Sequence, residues 1–409
     1  MRPRPLASCT RRRGRLPPPG RGAALHWRLP TCVILKEAAP LAAHSPQDPV
    51  VVCTPNEDYA IGAAVALYSA QRNLDPARRM RLFLVDGGLR PGTRRQLLRI
   101  LDPDRVDVTV VRLDPARIRD LVVRNQPPET IHLESLAVYA RLLADELLPA
   151  SLERVIYLDS DMVVLGDLGE LWDVEMGGHG LLAVQDQGVP YVDAGRALAH
   201  IDAVRPHLVQ ERGVANWEEL GLDPTAKYLN SGLLVLDLDA WRREGLSSRL
   251  VECLRRNREH AWDADQYALN VVFAGRWGEL DLRWNAAPAL FMYPSPAESP
   301  WDDATWKRVT DAPQIVHYVG RWKPWYWGRR RNRHPWRAYF DRYYDELDWP
   351  LWRRWRWTLL PVTREWFQKR GRRARKAWAR SASSLRRVGR ALRGRAGALA
   401  RGLGVGRRG

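Results

Sequence analysis

Short apolar runs and amphipathic segments follow one another along the middle of the chain, and they predict strands and helices in turn. The strands are predicted at residues 49–53, 80–86, 106–113, 154–158, 181–185, 232–236 and 314–319. Apolar residues at helical spacing predict helices at residues 60–73, 91–101 and 135–149. Most of the strands are apolar throughout, which is typical of a parallel sheet with helices on both faces. The sequence therefore predicts an α/β fold with a mostly parallel mixed central sheet.

Polar side chains stand where the predicted strands end. In open α/β sheets ligands bind beyond the carboxyl ends of the strands, so these positions are candidates for a site. No G-x-G-x-x-G motif follows the first strand, which disfavours a dinucleotide-binding version of the fold. The candidates are Asn56–Tyr59, Asp86, Asp159 and Asp161, Asp186, and Asn230 at the start of its strand.

Composition and charge divide the chain into three parts. The 409 residues are 45% hydrophobic and include 19 tryptophans, which is enough for a substantial core. The formal charge of +18 is uneven, because residues 1–48 carry +7, residues 351–409 carry +18, and the intervening body carries −7. We therefore expect a disordered basic arm over residues 1–47, a folded domain over 48–348, and a basic Trp/Arg-rich tail over 349–409.

The charge distribution also bears on partners. An acidic body makes nucleic acid an unfavoured partner, since nucleic-acid-binding domains usually have a basic surface on the folded part. Tryptophans among arginines in the tail suit an anionic membrane surface, although such segments can also be disordered or bind RNA. Four cysteines without short spacing favour a reducing compartment, and no run approaches the ~20 apolar residues of a membrane span. Together with the basic tail, this leads us to expect a cytoplasmic protein bound peripherally at the inner membrane surface.

The stretch "RVIYLDSDMVV" places two aspartates, Asp159 and Asp161, directly after a buried strand. Three interpretations are open. The carboxylates could bond turn amides or cap a helix. They could match the DxDx(T/V) pattern that resembles haloacid-dehalogenase-type phosphatases, with the first aspartate as nucleophile. They could instead hold a divalent cation that bridges the phosphates of a nucleotide-sugar.

Position and the rest of the chain favour the cation. Asp159 follows the fourth predicted strand, whereas a phosphatase nucleophile normally follows the first strand of its domain. In "QIVHYVGRWKPW", His317 ends an apolar strand and could complete a metal site. Gly320 permits close approach of the backbone to a ligand, and Lys323 offers a charge to a diphosphate leaving group.

Four stretches together resemble glycosyltransferase family 8 in their order and spacing: "YLDSDMVVLGDLGELW", "LNSGLLVLDLDAW", "DADQYALN" and "HYVGRWKPW". The resemblance covers residues 49–345. It implies a GT-A fold, a UDP-hexose donor, Mn²⁺ (or Mg²⁺) as cofactor, and transfer with retention of anomeric configuration. It also implies a saccharide or a glycolipid of the lipid-linked or lipopolysaccharide kind as the acceptor.

The resemblance assigns roles to individual residues. Asp159, Asp161 and His317 match the metal ligands. The loop "TPNEDYA" matches a uridine-binding stretch, with Asn and Asp exchanged relative to the commoner order. The nucleotide-sugar-binding residues implied are Thr54, Asn56, Asp58, Tyr59, Asp159, Ser160, Asn230, Gly320 and Lys323, and the catalytic or sugar-contacting ones are Arg141, Asp186, Asp265 and Gln266.

Transfer with retention of configuration is compatible with two mechanisms. Asp186 or Asp265 could attack the sugar and form a covalent intermediate, or the acceptor could attack from the leaving-group face while Gln266 and Asp265 position the sugar. Two other functions stay as alternatives: a Mg²⁺-dependent phosphatase, and a non-catalytic binding protein whose working part is the basic tail.

Overall fold

The computed structural model of the protein describes residues 34–35, 45–114, 121, 136–201, 204–320, 323–325, 334–347 and 349. The expected folded domain falls within these ranges for the most part. The expected arm over 1–47 and the tail over 349–409 lie almost wholly outside them, so their assignment stays a prediction. Inside the arm, the two-residue strand β1 (Ile34–Leu35), which the sequence pattern does not predict, pairs with an edge of the main sheet.

A central sheet of eight strands organises the described residues, with the order β1-β4-β3-β2-β5-β8-β7-β9. Strands β2 to β5 are parallel to one another, whereas β8 runs antiparallel between β5 and β7. The predicted α/β fold with a mostly parallel mixed sheet is thus confirmed. Its other strands are β2 (Val50–Cys53), β3 (Met80–Asp86), β4 (Val106–Arg112), β5 (Arg154–Leu158), β7 (Leu181–Gln185), β8 (Leu229–Asp237) and β9 (Gly278–Glu279).

Helices and short 3-10 turns surround this sheet. None of the helices in the described ranges is both long and apolar enough to cross a lipid bilayer. The 3-10 segments include Glu57–Tyr59, Leu136–Leu143, Leu282–Asn285 and Pro288–Met292. The α-helices are α1 (Ala60–Asn73), α2 (Pro91–Arg99), α3 (Ala144–Leu147), α4 (Leu168–Trp172), α5 (Ala194–Ala197), α6 (Trp217–Leu220), α7 (Leu238–Glu244), α8 (Leu246–Arg256), α9 (Asp265–Val272), α10 (Asp303–Asp311) and α11 (Arg337–Glu346).

The strand order reverses between β2 and β5. From β2 the chain continues to β3 and β4 on one side, and it returns to place β5 on the other side. The carboxyl ends of β2, β5 and β7 and the amino end of antiparallel β8 therefore share one edge of the sheet. Such a reversal leaves a crevice at the carboxyl edge, which is where open α/β sheets bind ligands.

The strand predicted at residues 314–319 does not join the central sheet. It is shortened to β10 (Ile315–His317), which pairs antiparallel with β6 (Met162–Val164) in a separate two-stranded sheet. The register sets His317 opposite Met162, and the Tyr318 amide donates to the Asp161 carbonyl oxygen at 2.9 Å. This small sheet is the element that brings the late His317 beside the early aspartate pair.

The helix predicted over residues 135–149 is wrong in type for most of its length. Residues 136–143 form a 3-10 helix, and only Ala144–Leu147 are α-helical. The Arg141 side chain donates through Nε to the Val138 carbonyl oxygen at 3.2 Å. In an α-helix that carbonyl would accept from residue 142, so the buried guanidinium competes with regular helical bonding.

Ala264, just before α9, has φ +48° and ψ −112°, a conformation that favours glycine. A non-glycine residue held in so sparsely populated a region stores about 1–3 kcal/mol of strain. Trp262 and Asp263 precede it, and Asp265 and Gln266 follow it. The strained turn therefore separates two pairs of residues that the site below brings together.

We predict that Ala264→Gly changes the free energy of unfolding by less than about 1 kcal/mol, because relief of strain offsets the lost methyl group and the added chain entropy. Ala268, equally buried but inside α9, is the matched control. Ala268→Gly loses helix propensity and a buried methyl group, and no relief of strain offsets these losses. It should therefore lower the free energy of unfolding by about 2 kcal/mol. Urea unfolding measures both; equal losses would show that Ala264 is not strained.

Candidate functional site

A cavity of about 850 Å³ opens at the carboxyl edge of the sheet, at the reversal between β2 and β5. Its volume is in the range of small-molecule sites. It brings together almost all the residues singled out from the sequence. Those that line it are Thr54, Asn56, Tyr59, Arg141, Asp159, Ser160, Asp161, Asp186, Asn230, Asp265, Gln266, His317, Gly320 and Lys323.

Asp159, Asp161 and His317 converge at the centre of this cavity. One possible ligand atom from each lies within 4.8 Å of the other two. The His317 Nε2 atom is 3.2 Å from Asp161 Oδ1 and 3.9 Å from Asp159 Oδ2. Two carboxylates and an imidazole form an N/O donor set that suits Mn²⁺, Zn²⁺ or a related divalent cation.

Asn285 fixes the orientation of the His317 ring. Its Oδ1 atom lies 3.0 Å from His317 Nδ1, while its Nδ2 donates to Asn230 Oδ1 at 2.9 Å. With the amide oriented in this way, His317 Nδ1–H is the donor, which leaves Nε2 as the ring nitrogen that can offer a lone pair to a cation between the two carboxylates. Three electron-pair donors then face one another, an arrangement that a cation stabilises. The donor set therefore fits a bound divalent metal.

A backbone contact holds the ring from the other side. Gly232, near the start of β8, lies against the His317 ring so closely that a Cβ there would collide with the imidazole Cε1 and lie 2.7 Å from Nδ1. Asp159 is tied to the same residue, since its backbone N–H donates to the Gly232 carbonyl oxygen at 2.9 Å. The close packing of β5, β8 and β10 thus sets the spacing of the three donors.

Two buried cations already contact the aspartates. Arg141 donates to both carboxylate oxygens of Asp159, at 2.7 and 3.3 Å, and its Nε lies 3.0 Å from Asp265 Oδ2. Its guanidinium also stacks over the Tyr157 ring at 4.5 Å and donates to the Ser231 carbonyl oxygen. Lys323 donates to Asp161 Oδ2 and to the Tyr318 carbonyl oxygen. Each of these cations is positioned by fixed partners beside the candidate metal ligands.

The carboxyl groups respond differently to these surroundings. Burial raises the pKa of Asp159, and Arg141 offsets this only in part. Burial also opposes ionisation of Asp161, but Lys323 and His317 outweigh it and the pKa of Asp161 is lowered. Burial raises the pKa of Asp265 to about 6 against the pull of Arg141, and it raises the pKa of Asp263, beside Asp186, to about 6. Charge on this cluster is costly without an added cation.

A chain of hydrogen bonds continues from the metal donors to the far side of the cavity. Asn230 Nδ2 donates to Asp186 Oδ2 at 2.8 Å, and Gln266 Nε2 donates to the same oxygen at 3.2 Å. Gln266 Oε1 accepts from the Ser231 amide at 3.0 Å. The backbone amides of Gly188 and Val189 donate to Asp186 Oδ1 at 2.7 and 2.9 Å. These side chains are therefore held in one orientation before any ligand binds.

The loop after β2 lines the opposite end of the cavity. Asn56 Oδ1 accepts from the Tyr59 amide at 2.9 Å and so caps the 3-10 turn Glu57–Tyr59. The Tyr59 ring lies 5.3 Å from Lys323 Nζ and packs edge-on against Trp325. Asp58 is exposed and is not among the lining residues, so its assignment to nucleotide contacts stays a prediction. Gly320, with φ +80°, lets the backbone turn at the rim near Lys323.

Some residues of the site could not be identified from the sequence pattern. Asn285 lies at the edge of a stretch that shows no helical or strand periodicity, and Asn residues in such stretches usually belong to turns. Ser231 and Asp263 stand beside predicted residues and could have been found by extending those motifs by one or two positions. Trp262 and the Val209–Gln210 segment carry no motif at all, yet they line the cavity.

Comparison with known proteins agrees with the fold and with the motifs. The profile of glycosyl transferase family 8 matches residues 50–327. The chain is 25% identical to general stress protein A of Bacillus subtilis over 304 residues, which cover 74% of this chain and 94% of that protein. It is 24% identical over 263 residues to the lipopolysaccharide 1,2-glucosyltransferase of Escherichia coli K12, covering 64% of this chain and 67% of the relative.

Solved structures give the same architecture. The galactosyltransferase LgtC, in complex with donor and acceptor sugar analogues, superposes with a TM-score of 0.58 at 22% identity, over 74% of this chain and 97% of LgtC. The bifunctional glycosyltransferase WbbM superposes with a TM-score of 0.56 at 20% identity, over 79% of this chain and 53% of WbbM. At this level of identity the similarity shows the fold, which is GT-A. The family profile spans most of the described domain, and the chain belongs to glycosyl transferase family 8.

Proposed function

We propose that this glycosyltransferase moves a hexose, glucose or galactose, from a UDP-sugar to a saccharide or glycolipid acceptor with retention of configuration. Mn²⁺, or Mg²⁺ in its place, is the proposed cofactor, held by Asp159, Asp161 and His317. The observation that carries the proposal is the convergence of these three electron-pair donors on one point of the cavity. A divalent cation there would bind the two phosphates of the donor, as carboxylate-bound Mg²⁺ and Mn²⁺ commonly do.

The order of the strands gives the donor a direction across the sheet. The loop after β2 supplies the proposed nucleotide contacts, the turn after β5 the metal donors, and the adjacent ends of β8 and β7 supply Asn230 and Asp186. Neighbouring strands lie about 4.8 Å apart, so β2 and β7 are separated by roughly 14 Å. A nucleoside diphosphate with its sugar can extend over that distance. We accordingly place the uridine at Thr54, Asn56, Asp58 and Tyr59, and the hexose near Asp186, Asn230 and Gln266.

The protein groups around the diphosphate suit its departure. Negative charge grows on the phosphate oxygen as the bond to the sugar breaks, and preorganised cations there lower the barrier. The bound metal would supply Lewis-acid stabilisation of that charge. Lys323, 3% exposed, lies beside Asp161 and can direct its ammonium group to the same phosphates. Ser160 and Gly320 border the same region and allow close approach of the backbone.

The hydrogen bonds of Asp186 favour attack from the leaving-group face over a covalent intermediate. Both of its oxygens accept two hydrogen bonds each, which engages the lone pairs that a nucleophilic attack on the sugar would need. Asp265 is held in an ion pair by Arg141. In the proposed reaction Gln266 and Asp265 position the sugar, and Arg141 keeps Asp159 and Asp265 in place.

The phosphatase alternative is less well supported. A nucleophilic Asp159 would need an oxygen free to attack, whereas Arg141 donates to both of its oxygens. The membrane-bound location proposed from the basic tail rests on the sequence of residues 349–409 alone. The alternative of a non-catalytic protein with a working tail is opposed by the intact set of donors and cations in the cavity.

We predict that UDP binds tightly to the protein only with Mn²⁺ present, and that Asp161→Ala weakens this binding at least about tenfold through loss of a metal ligand. Isothermal titration with and without Mn²⁺ measures it. Asp311→Ala, a surface aspartate on α10, is the matched control and should bind like the unsubstituted protein. The lack of UDP binding under any metal condition would refute the proposed function.

We predict that Asn285 raises the affinity of the site for a metal ion although it is not one of the proposed ligands. Asn285→Ala removes the partner of His317 Nδ1, and loss of such an orienting group typically costs 10–100-fold in metal affinity. Titration of Mn²⁺ measures this affinity. Asn257→Ala removes an asparagine whose partners Cys253 and Asn216 are not cavity residues, and should leave it unchanged. Equal metal affinity in all three proteins would contradict the proposed role of Asn285.

The mechanism has its own test. With a slow 2-fluoro analogue of the UDP-hexose donor, we expect no hexose-sized mass increase on intact protein or on peptides containing Asp186 or Asp265, because neither is a free nucleophile. Intact mass spectrometry after rapid quenching is the measurement. A covalent adduct on either residue that forms and decays at the rate of turnover would establish double displacement instead.

A further inference from the structure

Exposed apolar side chains of the described residues concentrate at the mouth of the cavity. The large hydrophobic residues classed as exposed are Val209, Trp262, Phe291, Met292 and Val319. All of them except Phe291 line the cavity, and these four are called the apolar rim here. Trp262 is 59% exposed and Val209 is 60% exposed. Leaving such groups in water is unfavourable, and grouped exposed apolar side chains commonly mark a binding surface.

The apolar rim borders on carboxylate and amide side chains. Next to Trp262, Asp263 accepts a hydrogen bond from Gln210 Nε2 at 2.9 Å, and Gln210 is the neighbour of Val209. The Val209 amide donates to the Gly188 carbonyl oxygen at 2.9 Å, and Gly188 in turn donates to Asp186. An aromatic face bordered by carboxylates and an amide therefore lies within one bonded network that reaches the sugar end of the cavity.

This combination matches a pyranose ring. A pyranose has an apolar face made of C–H groups and a periphery of hydroxyls, and an indole has a flat, electron-rich face that accommodates such groups. Carboxylates and amides accept and donate hydrogen bonds to hydroxyls in fixed directions. A lipid chain would use the apolar side chains but would cover the half-buried Asp263 and Gln210 without hydrogen-bonding to either, at the cost of their contact with water.

The position of the apolar rim relative to the proposed donor site also favours a pyranose as the ligand. The nucleotide contacts proposed above lie at the end of β2, whereas Asp186, Gly188 and the Val209–Gln210 segment belong to the β7 side of the cavity. A molecule on the rim would thus approach the sugar end of the donor rather than the uridine end. The strained turn at Ala264 lets residues on both of its sides line the cavity: Trp262 and Asp263 before it, and Asp265 and Gln266 after it.

We propose that the apolar rim with Asp263 and Gln210 is the acceptor subsite, and that the acceptor presents a pyranose ring whose apolar face stacks on Trp262. Asp263 and Gln210 bind its hydroxyl groups. This inference rests on the proposed transfer from a nucleotide-sugar. Trp262 then sets which acceptors bind, and the donor residues set which sugar is transferred.

The test uses the full chain with Mn²⁺ and UDP-glucose or UDP-galactose, and a panel of soluble acceptors: methyl and octyl glycosides of glucose, galactose, N-acetylglucosamine and mannose, and lactose. Transfer is followed by UDP release above the rate without acceptor. Trp262→Ala should raise the KM for the acceptor about tenfold, the effect of losing one stacked aromatic contact. Trp262→Phe keeps an aromatic face and should restore the KM to within about threefold.

Controls separate this inference from the proposed function. Phe291→Leu alters an exposed apolar residue outside the cavity and should transfer like the unsubstituted protein. Melting temperatures and UDP affinities of the Trp262 variants should equal those of the unsubstituted protein. If the unsubstituted protein binds no UDP, the proposed function fails and this inference fails with it.

Two results would overturn the acceptor subsite alone. The first is a failure of the pyranosides: UDP binds but no sugar is transferred to any of them, or Trp262→Ala transfers with an unchanged KM. The second is a dependence on lipid: the rate of UDP release rises with the octyl chain whatever the sugar, or with anionic phospholipid vesicles in the absence of glycoside. This second result would assign the apolar rim to lipid. A rise in KM that Trp262→Phe reverses, with UDP affinity unchanged, supports the pyranose assignment.

Discussion

Electrostatic repulsion among carboxylates at one edge of the sheet is the constraint around which the site is built. Five aspartates line the cavity, at positions 159, 161, 186, 263 and 265, against two described cations, Arg141 and Lys323. Fully ionised, the cluster would carry three excess negative charges; burial, reinforced by the neighbouring carboxylates, raises the pKa of Asp263 and of Asp265. A divalent cation is the simplest way to balance it. In the proposed function, the same cation would also allow the diphosphate of a nucleotide-sugar to enter so acidic a cavity.

The fold brings these groups together from distant parts of the sequence. The reversal of strand order between β2 and β5 creates the crevice, and antiparallel β8 delivers Asn230 and Ser231 to it from its amino end. The small β6–β10 sheet then adds His317. The chain of bonds from His317 through Asn285 and Asn230 to Asp186 links the metal donors with the sugar end. Displacement of one of these residues would disturb the hydrogen bonds of the others, because the members of a buried hydrogen-bonded network depend on one another for partners.

Much of this architecture can be predicted from the sequence, since apolar runs and the residues that end them depend on local pattern. The strands β2 to β5, β7 and β8 are predicted in this way, and so is the convergence of Asp159, Asp161 and His317 on one site. The 3-10 segment at residues 136–143 could not be, because its backbone is determined by a buried Arg141 whose partners lie far along the chain. Asn285 and Trp262 could not be predicted for a related reason: their proposed roles depend on neighbours in the folded structure and not on sequence periodicity. The orientation of Asp58, outside the cavity lining, likewise depends on the detailed path of its loop.

We propose that Asp159, Asp161 and His317 hold a divalent cation that binds the donor diphosphate. Crystals grown with UDP and Mn²⁺, with diffraction data collected at the manganese absorption edge, test it most directly. We expect one strong anomalous peak within bonding distance of all three side chains and of both UDP phosphates. UDP bound in the cavity with no manganese peak there, or with the peak held by other residues, would contradict it.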